Sequence, residues 1–178
     1  MSYVDPHIVS CPAGDSAFVV ILRNANNNPV SWWDVTLQLC TCPGYHLSMS
    51  GTHPYQVDTT GCMVSLTPDL DGQALFPLAG GGLCAGSTVN VYGGGQLLRH
   101  VTRVASFDQN GDLSVDATDL ALIRGKVGTS DPTADFDGDG MVTNADVVIA
   151  QQHLGHAAPD ALVPTARSTW GSLKLLYH

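Results

Sequence analysis

The stretch DFDGDGMVTNAD, Asp135 to Asp146, decides how the second half of this chain folds. Counted from Asp135 as position 1, carboxylates stand at positions 1, 3 and 5 (Asp135, Asp137, Asp139) and again at 12 (Asp146). Gly140 is at position 6, Met141 at 7 and Val142 at 8. Hard Ca²⁺ needs roughly six to eight oxygens at short range, and a 12-residue loop wraps the ion when its odd early positions point inward. Position 7 offers a backbone carbonyl, so a methionine is acceptable there. Position 8 points into a core, which suits valine. Asp146 is expected to close the site from the first turn of a following helix.

The same pattern occurs 27 residues upstream, in DQNGDLSVDATD from Asp108 to Asp119. Asp108, Asn110 and Asp112 take positions 1, 3 and 5, with Ser114 at 7, Val115 at 8, Asp116 at 9 and Asp119 at 12. Position 6 is Leu113, where the sharp turn favours glycine. A left-handed backbone at a non-glycine residue costs about 1–2 kcal/mol. The first site is therefore expected to bind more weakly, with Asp116 helping directly or through a water. Each loop leads into an apolar helical stretch, Leu120–Val127 and Val147–Leu154, with Gly128 and Gly155 as stop signals.

Charge supports the same reading. All sixteen acidic residues are aspartate, and nine of them lie between Asp108 and Asp146, where only Arg124 and Lys126 offset them. A local charge of −7 repels itself unless a cation neutralises it. Eight of these nine aspartates fall on positions 1, 3, 5, 9 or 12 of the two loops. Two Ca²⁺ would bring the segment to −3.

Aspartate at position 12, two repeats and no entering helix before each loop resemble the dockerin domain over residues 106–156. The resemblance implies a secreted, calcium-folded module whose two loop–helix units pair about a pseudo-twofold axis. It also implies a cohesin partner, contacted through positions 10 and 11. Here those are Ala117, Thr118, Asn144 and Ala145, which depart from the Ser-Thr pairs of well-known members.

Working back toward the N-terminus, residues 1–104 read as β. Turn residues interrupt the chain every eight to twelve residues, leaving about seven short strands. Ala17–Arg23 is a buried strand candidate, Val35–Leu39 alternates, Met63–Leu66 and Ala74–Leu78 follow turns, Gly80–Gly82 opens a loop, and Leu97–Val104 runs back. FVVILRNANNNPV at Phe18–Val30 and DLDGQALFPLAG at Asp69–Gly80 resemble bacterial Ig-like domains of the invasin and intimin type, which implies a spacer or adhesion module. The expected organisation is thus mainly β plus small α: an Ig-like β-sandwich over 1–104, a dockerin-like pair of calcium units over 105–157 and a tail over 158–178. The short connection from the last strand into Asp108 implies a rigid pair of domains.

Five cysteines, Cys11, Cys40, Cys42, Cys62 and Cys84, match no zinc template. Read as disulfides they imply an extracellular protein with one odd thiol, in any of fifteen arrangements; read as buried thiols they imply nothing. Residues 1–10 show no signal-peptide pattern. Two Lys and five Arg make no nucleic-acid footprint, and no apolar run spans a membrane. No nucleophile elbow or phosphate loop is present, so the chain reads as non-enzymatic.

Four weaker features remain. Of Trp32 and Trp33, one is expected in the core and one exposed, where it can stack on carbohydrate. Asp69 and Asp71 suit either calcium or a turn. His153 and His156, i and i+3 at a helix end, suit either a metal or a solvated last turn. Trp170, Leu173, Leu175 and Tyr177 form an apolar tail that can fold back or pair with a second molecule. The expectation is a secreted calcium-binding non-enzymatic module for extracellular assembly, adhesion or scaffolding, such as a fibre-forming subunit, or else a dockerin module that binds a cohesin in a polysaccharide-degrading complex.

Overall fold

The computed structural model describes residues 2–161. The tail from Trp170 to Tyr177 lies outside them. The chain is mainly β with two short helices. In order it forms β1 (Tyr3–Val4), β2 (His7–Ser10), β3 (Ala17–Ile21), β4 (Val35–Gln38), β5 (Gly44–Leu47) and β6 (Gln56–Val57). There follow β7 (Met63–Leu66), β8 (Gln73–Pro77), β9 (Gly80–Leu83), β10 (Val89–Gly93), β11 (Gln96–Val101) and β12 (Arg103–Ser106). The helices are α1 (Ala117–Gly125) and α2 (Asn144–Gln152).

Period-2 alternation explains the first core. Phe18 and Val20 on β3, Ala74 and Phe76 on β8, and Val35 and Leu37 on β4 all point inward, while their neighbours do not. A three-stranded sheet, β1-β3-β8, and a five-stranded sheet, β11-β10-β4-β7-β6, contribute to this one cluster. Disulfides Cys40–Cys62 and Cys42–Cys84 close loops of 22 and 42 residues beside it. In the chain-entropy view each removes about 3–4 kcal/mol of unfolded-state freedom. Cys11 is the odd thiol, and it is buried.

Two expectations are corrected. Trp32 and Trp33 are both exposed, at 70% and 48%. They sit in a bend before β4 and not on the strand, so alternation does not apply to them. Gly80–Gly82 is not a loop but most of β9, paired with β5. A Cβ on Gly81 would lie 1.9 Å from Asp108 Oδ2, so the bare backbone makes room for the first acidic loop. Asp69 serves a turn, accepting the N–H groups of Asp71 and Gln73 at 2.9 Å.

The return strand also breaks earlier than its pattern suggests. β11 ends at Val101, and after Thr102 the chain enters β12, which pairs in parallel with β2. β12 runs through the expected boundary at residue 104. Its Ala105 joins Val9, Cys11 and Phe107 in a second core with Val115, Leu120, Ile123, Phe136, Val142 and Val147. β2 thus belongs as much to the helical part as to the β part, with Ile8 in the first core and Val9 against the second.

Candidate calcium sites

Both helices start at a capping box. Asp116 caps α1 and Thr143 caps α2, and each is answered from position N3, by Asp119 and Asp146. These N3 residues are position 12 of each loop. Their other oxygen reaches back into the loop. Asp119 Oδ1 accepts from Gln109 and Asn110 N–H at 2.8 and 3.2 Å, and Asp146 Oδ1 from Phe136 and Asp137 N–H at 2.7 and 3.3 Å.

The rest of the loops match position by position. Asp108 accepts from Gly111 and Leu113 N–H at 2.7 and 2.8 Å; Asp135 accepts from Gly138 and Gly140 N–H at 2.9 and 3.0 Å. Asn110 Oδ1 accepts from Asp112 N–H, as Asp137 Oδ1 does from Asp139 N–H. Asp112 Oδ1 accepts from Ser114 N–H, as Asp139 Oδ1 does from Met141 N–H. Position 6 is left-handed in both, with φ of 64° at Leu113 and 99° at Gly140. Leu113 adopts the turn that its side chain opposes, and is itself buried.

The units are also joined reciprocally. Gly128 N–H donates to Val142 O at 2.8 Å and Val142 N–H to Thr129 O at 2.7 Å; Gly155 N–H donates to Val115 O and Val115 N–H to His156 O, both at 2.8 Å. Each unit does to the other what the other does to it, which is the property of an isologous, twofold-like contact. Val115 and Val142, at position 8, are buried at its centre.

Nothing in these loops neutralises the charge that they collect. Asp135, Asp137 and Asp139 each place a carboxylate oxygen within 4.8 Å of the other two. Asp108, Asp119, Asp135 and Asp146 are almost wholly buried. Burial pushes Asp108 up to about 6, and the like charges of Asp119 and Asp112 add to it against the two N–H groups that it accepts. Burial likewise pushes Asp119 up. At Asp146 burial acts the same way, but hydrogen bonds from Thr143, Phe136 and Asp137 outweigh it and hold the group low. Each carboxylate oxygen that accepts one N–H keeps a second lone pair. The donor set is all oxygen: Asp108, Asn110, Asp112, Ser114 and Asp119 in one loop, and Asp135, Asp137, Asp139, Met141 and Asp146 in the other. That chemistry fits a hard divalent cation such as Ca²⁺. Asp116, at position 9, is exposed and also caps α1, its Oδ1 accepting the Thr118 N–H at 2.6 Å. Asp131, the ninth aspartate, instead pairs with Lys126 at 3.2 Å.

Sequence reasoning missed the surroundings. Arg103 on β12 forms an ion pair with Asp135. Gly82 N–H donates to Asp108 O at 2.7 Å. Asp160 accepts from Ser48 Oγ at 2.5 Å and Met49 N–H at 2.8 Å, fastening the segment after α2 to β5. None of these partners is near in sequence, so no local signal reports them.

No family model, curated protein or solved structure matches the chain. Function therefore has to be read from the residues themselves.

Proposed function

We propose that this protein is a secreted, non-enzymatic calcium-binding module in which two Ca²⁺ fold a dockerin-like unit against an Ig-like sandwich. It would serve extracellular assembly, adhesion or scaffolding. The observation that carries the calcium reading is the paired loops, whose hydrogen bonds repeat at positions 1, 3, 5 and 12 and gather eight aspartates of which Arg103 meets one, Asp135. The two disulfides fit an oxidising compartment, and no helix among the described residues is long and apolar enough to cross a membrane. Docking of both loops on β strands, through Gly81 and Gly82 on one side and Arg103 on the other, favours a rigid assembly unit over a freely tethered plug.

A second reading, binding to a cohesin-like domain, is favoured by one observation. Ala117, Thr118, Asn144 and Ala145 are all exposed, with Leu122 and Val148 on the same helices at 44% and 54%. Electron microscopy and light scattering on the calcium-loaded protein separate the two. Ordered oligomers or filaments support assembly. Monomers that capture cohesin domains replace it with the second reading, and monomers that capture none refute both.

A further inference from the structure

Outside the loops, the fold assembles a different kind of donor set. Cys11 follows β2, and a turn closed by Gly14 N–H to Cys11 O at 2.8 Å brings Asp15 back beside it. His153 is the C-cap of α2, and His156 follows it, its N–H donating to His153 O at 3.0 Å. His153 Nδ1 lies 3.1 Å and His156 Nδ1 2.8 Å from the same oxygen, Asp15 Oδ2. Cys11 Sγ lies 3.7 Å from His156 Nδ1. One ligand atom from each of the four residues lies within 4.8 Å of the other three.

We infer that Cys11, Asp15, His153 and His156 form a structural zinc site that latches the N-terminal β segment to the end of α2. Tetrahedral Zn²⁺ with bonds of roughly 2.0–2.3 Å holds its ligand atoms about 3.3–3.6 Å apart. The three measured separations bracket that range. A thiolate, two imidazoles and a carboxylate suit zinc better than the hard, oxygen-seeking cations of the loops. Four protein ligands leave no open position, which makes the site structural and not catalytic.

The rings are already held. His153 stacks on Phe107 with centroids 3.8 Å apart, and His156 meets His153 edge-on at 5.1 Å. The other four cysteines are in disulfides, so Cys11 is the thiol that remains for a metal. Burial pushes that thiol up; a bound cation reverses this by releasing its proton. The latch also touches the first loop, because the His156 carbonyl accepts the Val115 N–H at loop position 8.

The test uses the full chain with calcium in excess, so that the loops are filled and only the new site competes for zinc. Endogenous zinc is removed with 1,10-phenanthroline. Titration should return one zinc per chain and a higher melting temperature. Cobalt in its place should show the visible bands of tetrahedral coordination and a thiolate charge-transfer band in the near ultraviolet. Cys11→Ser should abolish the charge-transfer band. His156→Ala should weaken zinc by at least about 10–100-fold, the loss that removing even a ligand's hydrogen-bond partner causes. Circular dichroism checks that these variants fold; if either does not, Asp15→Asn at an exposed position must show the same weakening. Absence of stoichiometric zinc in calcium-saturated protein overturns the inference. So does unchanged zinc affinity in the folded variants. Calcium binding is scored separately, so failure here leaves the reading of the loops intact.

Discussion

The two acidic loops share a hydrogen-bond pattern but not a setting. The first is sunk against β9: Asp108 is fully buried, and its carboxylate fills the space where Gly81 has no side chain. It has an amide, Asn110, where the second has Asp137, and it turns through Leu113 where the second turns through Gly140. The second loop brings three carboxylates within reach of one another, with Asp137 and Asp139 exposed, but its position-1 acid is held by Arg103. The motif fixes what each loop can bind. Burial, strain and a neighbouring cation set how tightly and at what pH.

The largest effect should come from removing calcium altogether. A site filled at about 100 times its dissociation constant adds roughly 2.7 kcal/mol, so two sites add about 5 kcal/mol. For a chain of this size each kcal/mol moves the melting temperature by about 2–4 °C. Calcium depletion with zinc held constant should therefore lower melting by about 10–20 °C; an unchanged scan would remove calcium from the account.

Substitution at position 12 comes next and tests the loops one at a time. Asp119→Ala and Asp146→Ala each remove a candidate ligand, half a capping box and the acceptor for two loop N–H groups. A buried donor left without a partner costs about 1–3 kcal/mol. Each variant should lose one calcium and keep the other in calorimetry. Loss of both sites from either variant would show that the loops are not separable.

Gly81→Ala sharpens the comparison further, because it touches only the first loop. Its Cβ would collide with Asp108 Oδ2, and crowding of this kind typically costs about 1–3 kcal/mol. The first site should weaken about 10-fold or more while the second is unchanged. Equal weakening of both would mean that the β strands do not hold the first loop in shape.

The pH response should differ too. Asp108, at about 6, is raised above its ordinary 3.8. In the calcium-free protein its ionisation therefore opposes folding, and the stability present below pH 4 is lost as pH rises toward 6. Calcium needs the ionised form, so first-site affinity should fall as pH drops through 6. The second site, whose Asp146 is held low, should fall only at lower pH. Coincident profiles would contradict the burial argument. A change of opposite sign is expected from Arg103→Gln, which removes a cation that competes for the buried Asp135 carboxylate and should tighten the second site; calorimetry showing weaker or unchanged second-site binding would contradict it.

Much of the candidate site was legible in the sequence because it is local. Positions 1, 3, 5, 6, 8 and 12 are close in the chain, and the left-handed turn at Leu113 follows from its place in the loop. The helix starts were also written locally, in the Asp116–Asp119 and Thr143–Asp146 capping boxes. Apolar periodicity alone begins the helices three residues late, at Leu120 and Val147, because the first turn is polar. The remainder depends on distant partners. Which cysteines pair, what Gly81 makes room for, why Arg103 meets Asp135, and how Cys11 and Asp15 reach His153 and His156 all depend on strand pairings that no local pattern encodes. The tryptophan pair failed for a different reason: alternation was applied to residues that stop short of the strand.

The central claim is two oxygen-lined calcium sites of unequal strength. Isothermal titration of the calcium-free, zinc-replete protein tests it most directly. Two calcium ions per chain, the site with Leu113 and Asn110 the weaker, is the predicted result. One ion, none, or two of equal affinity would contradict it.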